Sequence, residues 1–290
     1  MEKLKKNEKK RNVKIIYQYD GSKFYGFQRQ KNKKTVQGEI EKIIFKNFAQ
    51  KINMISSGRT DKGVHALEQV SNFFIDKKIP LEAVKRQINK NMYGEIKVLS
   101  VEETNDEFNS RFDAKDRTYL YIMKKDDEIT PFEASYITGI KDNIDIESFQ
   151  EIMNIFKGKH DFSSFMKNDR AMRNTVREIY KIECRYEEKE RKTYIEICGS
   201  SFLKTMIRIM IGSALAVYFK KKDKDYIKMK LENPDKNQHK ILSSAQGLYL
   251  YKIKVPPLDL LTEQSPPDAT PKPPRTSRTR RKSEIIEHMR

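Results

Sequence analysis

Ten consecutive residues, Ser57-Gly-Arg-Thr-Asp-Lys-Gly-Val-His-Ala66, bring a carboxylate, two cations, hydroxyls and an imidazole into one short segment. Gly58 and Gly63 let the backbone turn sharply or approach a ligand without a Cβ in the way. Between them stands one acid, Asp61, with Arg59 two residues earlier. A purely connecting loop has no need of that combination, whereas a loop that holds one acid against a substrate does.

Several chemistries fail on spacing. The loop lacks the Gly-Lys-Ser/Thr of a phosphate cradle and opens no long helix. Asp61 and His65 could meet on one helical turn, but the other histidines of the body, His160 and His239, share no ligand spacing with them, so no metal is expected. Ser, His and Asp co-occur without a nucleophile elbow. His65 taken alone reads first as a structural hydrogen-bonding residue.

The elements that must position this loop follow an α+β order. Val13–Tyr19 alternates as a strand, and Thr35 caps a helix whose apolar face carries Val36, Ile40, Ile43, Ile44 and Phe48. Strands are expected at Ile52–Ser57, Gln69–Ile75 and Ile96–Glu103, with a helix opened by Pro80 between the last two. The second half repeats β-α-β-β-α-β without repeating the sequence. It has a strand Arg117–Lys124, a helix Asp145–Lys157 and a hairpin Val176–Tyr186/Thr193–Cys198. An apolar helix capped by Ser200 or Ser201 then runs to Phe219, a short charged helix follows near Asp225–Glu232, and Gly247–Val255 is the last strand. Two ferredoxin-like (RRM-like) units side by side are the simplest architecture. Residues 13–115 form the first, carrying the loop, and 116–255 the second. Residues 1–12 are a basic extension. From 256 to 290, where seven of the ten prolines fall between 256 and 274, the composition reads as a disordered Pro-rich basic tail.

The 290-residue chain carries a net charge of +18, of which the first twelve residues supply +4 and residues 270–290 supply +5. A body still at +9 points to a polyanionic partner, most often nucleic acid; a Lys-rich proteome is the other reading of the same number. No apolar run approaches the ~18 residues of a membrane span. No apolar segment follows the basic N-terminus, so a cytoplasmic protein with no membrane partner is expected, its Cys184 and Cys198 free thiols.

The loop resembles the signature of the tRNA pseudouridine synthase A family, Gly-Arg-Thr-Asp-x-Gly-Val-His-Ala. Five further blocks are similar to that family in order. They are Tyr19–Gln30 followed by Thr35–Glu39, Phe108–Tyr119, His160–Phe165, Gly199–Gly212 and Gln246–Leu250, so that the resemblance covers residues 13–255. It implies two ferredoxin-like units joined into one continuous sheet. The implied reaction is cofactor-free isomerisation of uridine to pseudouridine in the anticodon stem-loop of tRNA, positions 38–40 in tRNA numbering, by a homodimer. Asp61 then falls on the catalytic aspartate, either as nucleophile on the sugar or as base at C2′. Tyr119 falls on the tyrosine that stacks on the target base, its hydroxyl able to help remove the C5 proton. Arg208 falls on an arginine that pairs with the acid, and pairing would keep Asp61 ionised and in position. An arginine in the middle of so apolar a helix needs a fixed anionic partner on physical grounds alone. Arg59 resembles the residue that fills the gap left by a flipped nucleotide, with a phosphate contact as its other reading. Arg29, Lys62 and His65 would contact RNA. The sequence departs from the family at Lys62, where a small residue is common, at Asn109 for histidine and at Ser244 for proline. A paralogue acting on another RNA, or an RNA-binding module on the same scaffold, are the alternative readings.

Overall fold

The computed structural model describes residues 10–168 and 172–256. The first half runs β1 (Lys10–Tyr19), α1 (Val36–Phe48), β2 (Ile55–Ser56), β3 (His65–Asp76), α2 (Leu81–Asn91) and β4 (Ile96–Thr104). The second runs β5 (Asp116–Lys125), β6 (Thr138–Ile140), α3 (Ile146–Asn154), β7 (Gly158–Asp161), β8 (Val176–Glu187), β9 (Lys192–Gly199), α4 (Met206–Tyr218), α5 (Tyr226–Glu232) and β10 (Leu248–Lys254). The Pro-rich segment expected to be disordered, and most of the basic N-terminal extension, lie outside the described residues. Lys10–Asn12, expected within that extension, instead open β1.

All ten strands join one mixed sheet, ordered β4-β1-β3-β10-β5-β9-β8-β7, with β2 on β3 and β6 on β5. The α+β expectation of one sheet across both halves is met. The halves meet through a parallel β3–β10 pairing of only two residue pairs, His65 with Tyr249 and Ala66 with Leu250. Farther along, β3 pairs β2 instead, through Asn72 with Ile55 and Ser71 with Ser56. The sheet therefore parts where β3 exchanges one neighbour for the other, and residues 57–64 occupy the gap.

Alternation puts Val13, Ile15, Tyr17 and Tyr19 of β1 into the same core as Ile40 and Ile44 of α1 and Val84 and Ile88 of α2. The core continues through Tyr121, Met123, Ile195 and Ile197 to Phe149 of α3 and Ile211 of α4. Thr35 caps α1 as expected, its hydroxyl accepting from Gly38 N. Pro80 sits at the N-cap of α2, one place before the expected first turn. The largest correction concerns α4. Neither Ser200 nor Ser201 caps it; Thr205 holds the N-cap position, without a side-chain capping bond and in a left-handed conformation with φ 66°, so the cap falls five residues later than the first serine. Arg208, expected mid-helix, is consequently the third helical residue.

Candidate active site

The loop between β2 and β3 is pinned at several residues. Ser57 N donates to Val70 O at 3.0 Å, Gln69 Nε2 to Gly58 O at 3.0 Å, and Phe27 N to Thr60 O at 3.1 Å. The hydroxyls of Tyr19 and Thr60 bond at 2.8 Å. Gly63 adopts φ 83°, a conformation costly for any residue with a Cβ. Gly58 lies close to the second half of the sheet: a Cβ there would stand 3.3 Å from Leu250 Cδ2 and 3.8 Å from Tyr119 Oη, a tight but not excluded fit.

Asp61, half-buried at the centre of this loop, reaches the start of α4. Its Oδ2 accepts from Thr205 Oγ1 at 2.9 Å and from Arg208 Nη1 at 3.4 Å. Arg208 is held from behind, its Nε donating to Ser243 O at 2.9 Å. Both described partners of Asp61 take Oδ2, which leaves Oδ1 without a hydrogen-bond partner among the described residues. The helix N-terminus itself favours a carboxylate and disfavours the Arg208 cation, so the arginine is placed against the dipole and answers to Asp61.

Tyr119 stands two residues along β5 from a buried arginine, Arg117. Its ring packs edge-on against Phe202, centroids 5.1 Å apart. Burial pushes its hydroxyl up to about 12, against the lowering pull of Arg117, and the charge of Asp61 adds to the rise. At neutral pH Tyr119 is a phenol. Burial raises Tyr17, Tyr19 and Tyr249 as well. An unfolded tyrosine ionises near pH ~10, so each buried phenol contributes stability that is complete below that value and is lost as pH climbs through the folded value. The melting temperature should therefore fall steeply from pH ~10 towards ~12. A flat profile over that interval, read by circular dichroism, would mean that the tyrosines are hydrated.

The remaining expected residues divide. Arg59 and Lys62 are exposed on the loop, Lys62 with its ammonium 4.6 Å from the Tyr25 ring centroid. Arg29 is exposed but already paired, its Nε 3.2 Å from Glu41 Oε2. His65, expected at the RNA, is only 2% exposed. Gly21 N donates to its Nδ1 at 3.1 Å, Asp20 Oδ1 stands 3.3 Å from the same nitrogen, and its Nε2 lies 3.0 Å from Ser135 O, so both nitrogens are used. Burial lowers its pKa and Asp20 opposes the shift. The geometry gives His65 the structural place that its isolation among the histidines suggested. A cavity of about 520 Å³ lies on the far side of this ring, lined by Asp20, His65, Tyr93, Glu95, Tyr136 and Tyr249 among others. Asp61, Tyr119 and Arg208 do not line it. Among the described residues no group of three or more His, Cys, Asp or Glu side chains is placed to hold a metal ion, and no helix is long and apolar enough to cross a membrane. Cys184 and Cys198 are free.

One acid held by a hydroxyl and a guanidinium, near a neutral phenol in a gap of a mixed sheet, is an arrangement able to support carboxylate chemistry, and comparison with known proteins gives the family. A family profile described as tRNA pseudouridine synthase matches residues 15–113 and 152–256. The tRNA pseudouridine synthase A 2 of a Bacillus cereus strain is 34% identical over 244 residues, 84% of this chain and 99% of that protein. The tRNA pseudouridine synthase A of a Thermoanaerobacter species is 35% identical over 243 residues, with the same shares of 84% and 99%. A chain of the Cbf5-Nop10-Gar1 complex overlaps 70% of this chain and 44% of its own length at 12% identity and a TM-score of 0.35, too distant to bear on the architecture. The chain belongs to the tRNA pseudouridine synthase family and is an isomerase acting on uridine in RNA.

Thr205 is the site residue that the sequence reading passed over. A β-branched residue at φ 66° sits in a region that costs L-residues about 1–2 kcal/mol, and here the strained residue is the one whose hydroxyl meets Asp61. Glycine would relieve the backbone and lose the hydroxyl. Thr205→Gly is expected to melt no lower than the parent protein, yet to react about tenfold more slowly, the lower end of what a hydrogen bond to a charged group is worth. Thr205→Ser keeps the hydroxyl and should keep the rate. Thermal melting and single-turnover pseudouridine formation check both halves; equal rates for Gly and Ser would remove Thr205 from the site.

Proposed function

We propose that this protein converts uridine to pseudouridine in the anticodon stem-loop of tRNA, with Asp61 as the reacting carboxylate. The observation that carries the reading is the asymmetry at Asp61: one oxygen is held by Thr205 and Arg208, and the other has no hydrogen-bond partner among the described residues.

The reaction breaks the C1′–N1 bond of the target uridine, turns the uracil, and joins C1′ to C5, after which C5 loses its proton. Oδ1 of Asp61 acts on the sugar, by attack at C1′ or by taking the proton at C2′. Thr205 and Arg208 hold the other oxygen, so the carboxylate meets the sugar in one orientation. The Tyr119 ring stacks on the uracil, and its neutral hydroxyl hydrogen-bonds to the base. A uridine within a stem must leave the stack first; Arg59, exposed on the same loop, fills its place, while Lys62 meets the phosphate backbone. Residues 13–115 and 116–255 form the two walls of the RNA cleft, and the enzyme works in the cytoplasm as a homodimer that shares one tRNA between its subunits.

The test is to incubate the purified protein with unmodified tRNA, without nucleotide or added metal, and to map pseudouridine by position. Pseudouridine in the anticodon stem-loop supports the reading. Pseudouridine only elsewhere overturns the target and leaves the reaction standing; none overturns the function.

A further inference from the structure

The geometry points to Arg117 as the positioning residue that sets the catalytic loop, the Tyr119 strand and the approach to α4 in register with one another. The inference rests on the pseudouridine synthase reading above and concerns the assembly of its site.

Arg117 is 9% exposed, and among the described residues no carboxylate lies within ion-pair distance of it. Lys14, buried to a similar degree at 7%, has Glu102 at 2.6 Å. Burial lowers the Arg117 pKa from the usual arginine value, Tyr119 and the neighbouring Asp116 oppose that shift without cancelling it, and the cation of Arg111 adds to the lowering. A buried cation without a counter-ion is expensive, and well-packed apolar side chains often replace buried ions at no loss of stability. Something other than stability therefore accounts for an arginine here.

The hydrogen bonds indicate what. Nε donates to the carbonyl of Ser57, the first residue of the glycine loop, at 3.3 Å. Nη1 donates to Ala114 O at 3.0 Å and to Ser200 O at 2.9 Å. Nη2 donates to Arg111 O at 2.9 Å. The four carbonyls belong to the chain entering the Asp61 loop, the segment leading into β5, and the stretch between β9 and Thr205. Arg117 itself is on β5, two residues from Tyr119 and on the same face. A planar fork whose donors point in different directions can hold these separate strands at fixed angles; a lysine ammonium brings the charge but not the geometry. No part of the guanidinium bonds to Asp61, Tyr119 or Arg208 directly, so Arg117 acts through the backbone that carries them.

Arg117→Lys and Arg117→Ala are compared with the parent protein in single-turnover pseudouridine formation at saturating tRNA, with tRNA affinity and thermal melting measured on the same samples. Misplacement of reacting groups by about 1 Å costs about 10²-fold, and the rate per folded Arg117→Lys protein is expected to fall by that much while tRNA affinity stays close to that of the parent. Added guanidinium, below the concentration that lowers the melting transition, should restore part of the rate to Arg117→Ala and none to Asp61→Asn. The proposal is overturned if rate falls only in proportion to the unfolded fraction, if Arg117→Lys works at the parental rate, if guanidinium restores nothing, or if neither variant folds, which would make Arg117 a stability residue. A parental protein that forms no pseudouridine in the same assay would instead overturn the function itself.

Discussion

Asp61→Asn is expected to fold, to bind tRNA at least as tightly as the parent protein, and to form no measurable pseudouridine. Asparagine has the same shape, and its amide oxygen can still accept the Thr205 hydroxyl that now meets Oδ2 at 2.9 Å. What disappears is the charge opposite Arg208 and the oxygen able to act on the sugar. The ion pair is long, 3.4 Å, and its carboxylate is 27% exposed, so solvent screens it and its loss costs about 1 kcal/mol or less. The tRNA loses one repelling negative charge from its cleft, which can only favour binding. On the proposed mechanism the reacting group, by contrast, is gone, and loss of a positioned acid–base or nucleophilic residue costs about 10⁴-fold. The melting temperature should thus move by a few degrees while turnover falls by orders of magnitude. Near-parental turnover in a single-turnover assay would remove Asp61 from the chemistry.

Which parts of this site a reader can see in the sequence depends on how local their causes are. Helix α1 is legible because Thr35 and the 3.6-residue spacing of Val36, Ile40 and Ile44 lie within one window. Strands β6 and β7, three and four residues long, carry no alternation to read, and they form because a longer neighbour offers an edge. The start of α4 is hidden for another reason. Serines at 200 and 201 are good caps by type, but both precede the left-handed turn at Thr205, and no local rule places a β-branched residue at φ 66°. That one difference moves Arg208 from mid-helix to the first turn. Its pairing with Asp61 is legible all the same, because the costliness of an arginine among apolar neighbours does not depend on where the helix begins.

His65 and Arg117 make a contrasting pair. The partners of His65 are Gly21 and Ser135, 44 positions before it and 70 after it, so nothing local reveals that both ring nitrogens are occupied. Arg117 did leave a signal. Period two puts Arg117 on the same face of β5 as Tyr119, Tyr121 and Met123, all of them buried, although Thr118 and Leu120 of the opposite face are buried too. An inward arginine on a strand, with no acid opposite, is a question that period-two reading can raise by itself.

Arg208→Gln is the second large effect, and here opposing terms nearly cancel in stability while adding in function. At the third residue of α4 the cation faces the positive end of the helix dipole, so removing it gains about 0.3–1 kcal/mol. Removing it also breaks the pair with Asp61 and the hydrogen bond from Nε to Ser243 O, a loss of about 1–2 kcal/mol. The melting temperature should shift by only a few degrees. The rate has no such compensation, because the carboxylate then has only Thr205 to fix its angle, and a fall of about 10²-fold is expected. Since Arg208 acts on the reaction through Asp61, the two substitutions should not add. Asp61→Asn combined with Arg208→Gln should be no slower than Asp61→Asn alone, both sitting at the background rate. A variant of Arg208 that lost tRNA affinity while keeping its single-turnover rate would show a phosphate contact in place of a partner for the acid. The separation of the two roles lies in that comparison, because a phosphate ligand changes binding and a carboxylate holder changes the step that follows binding.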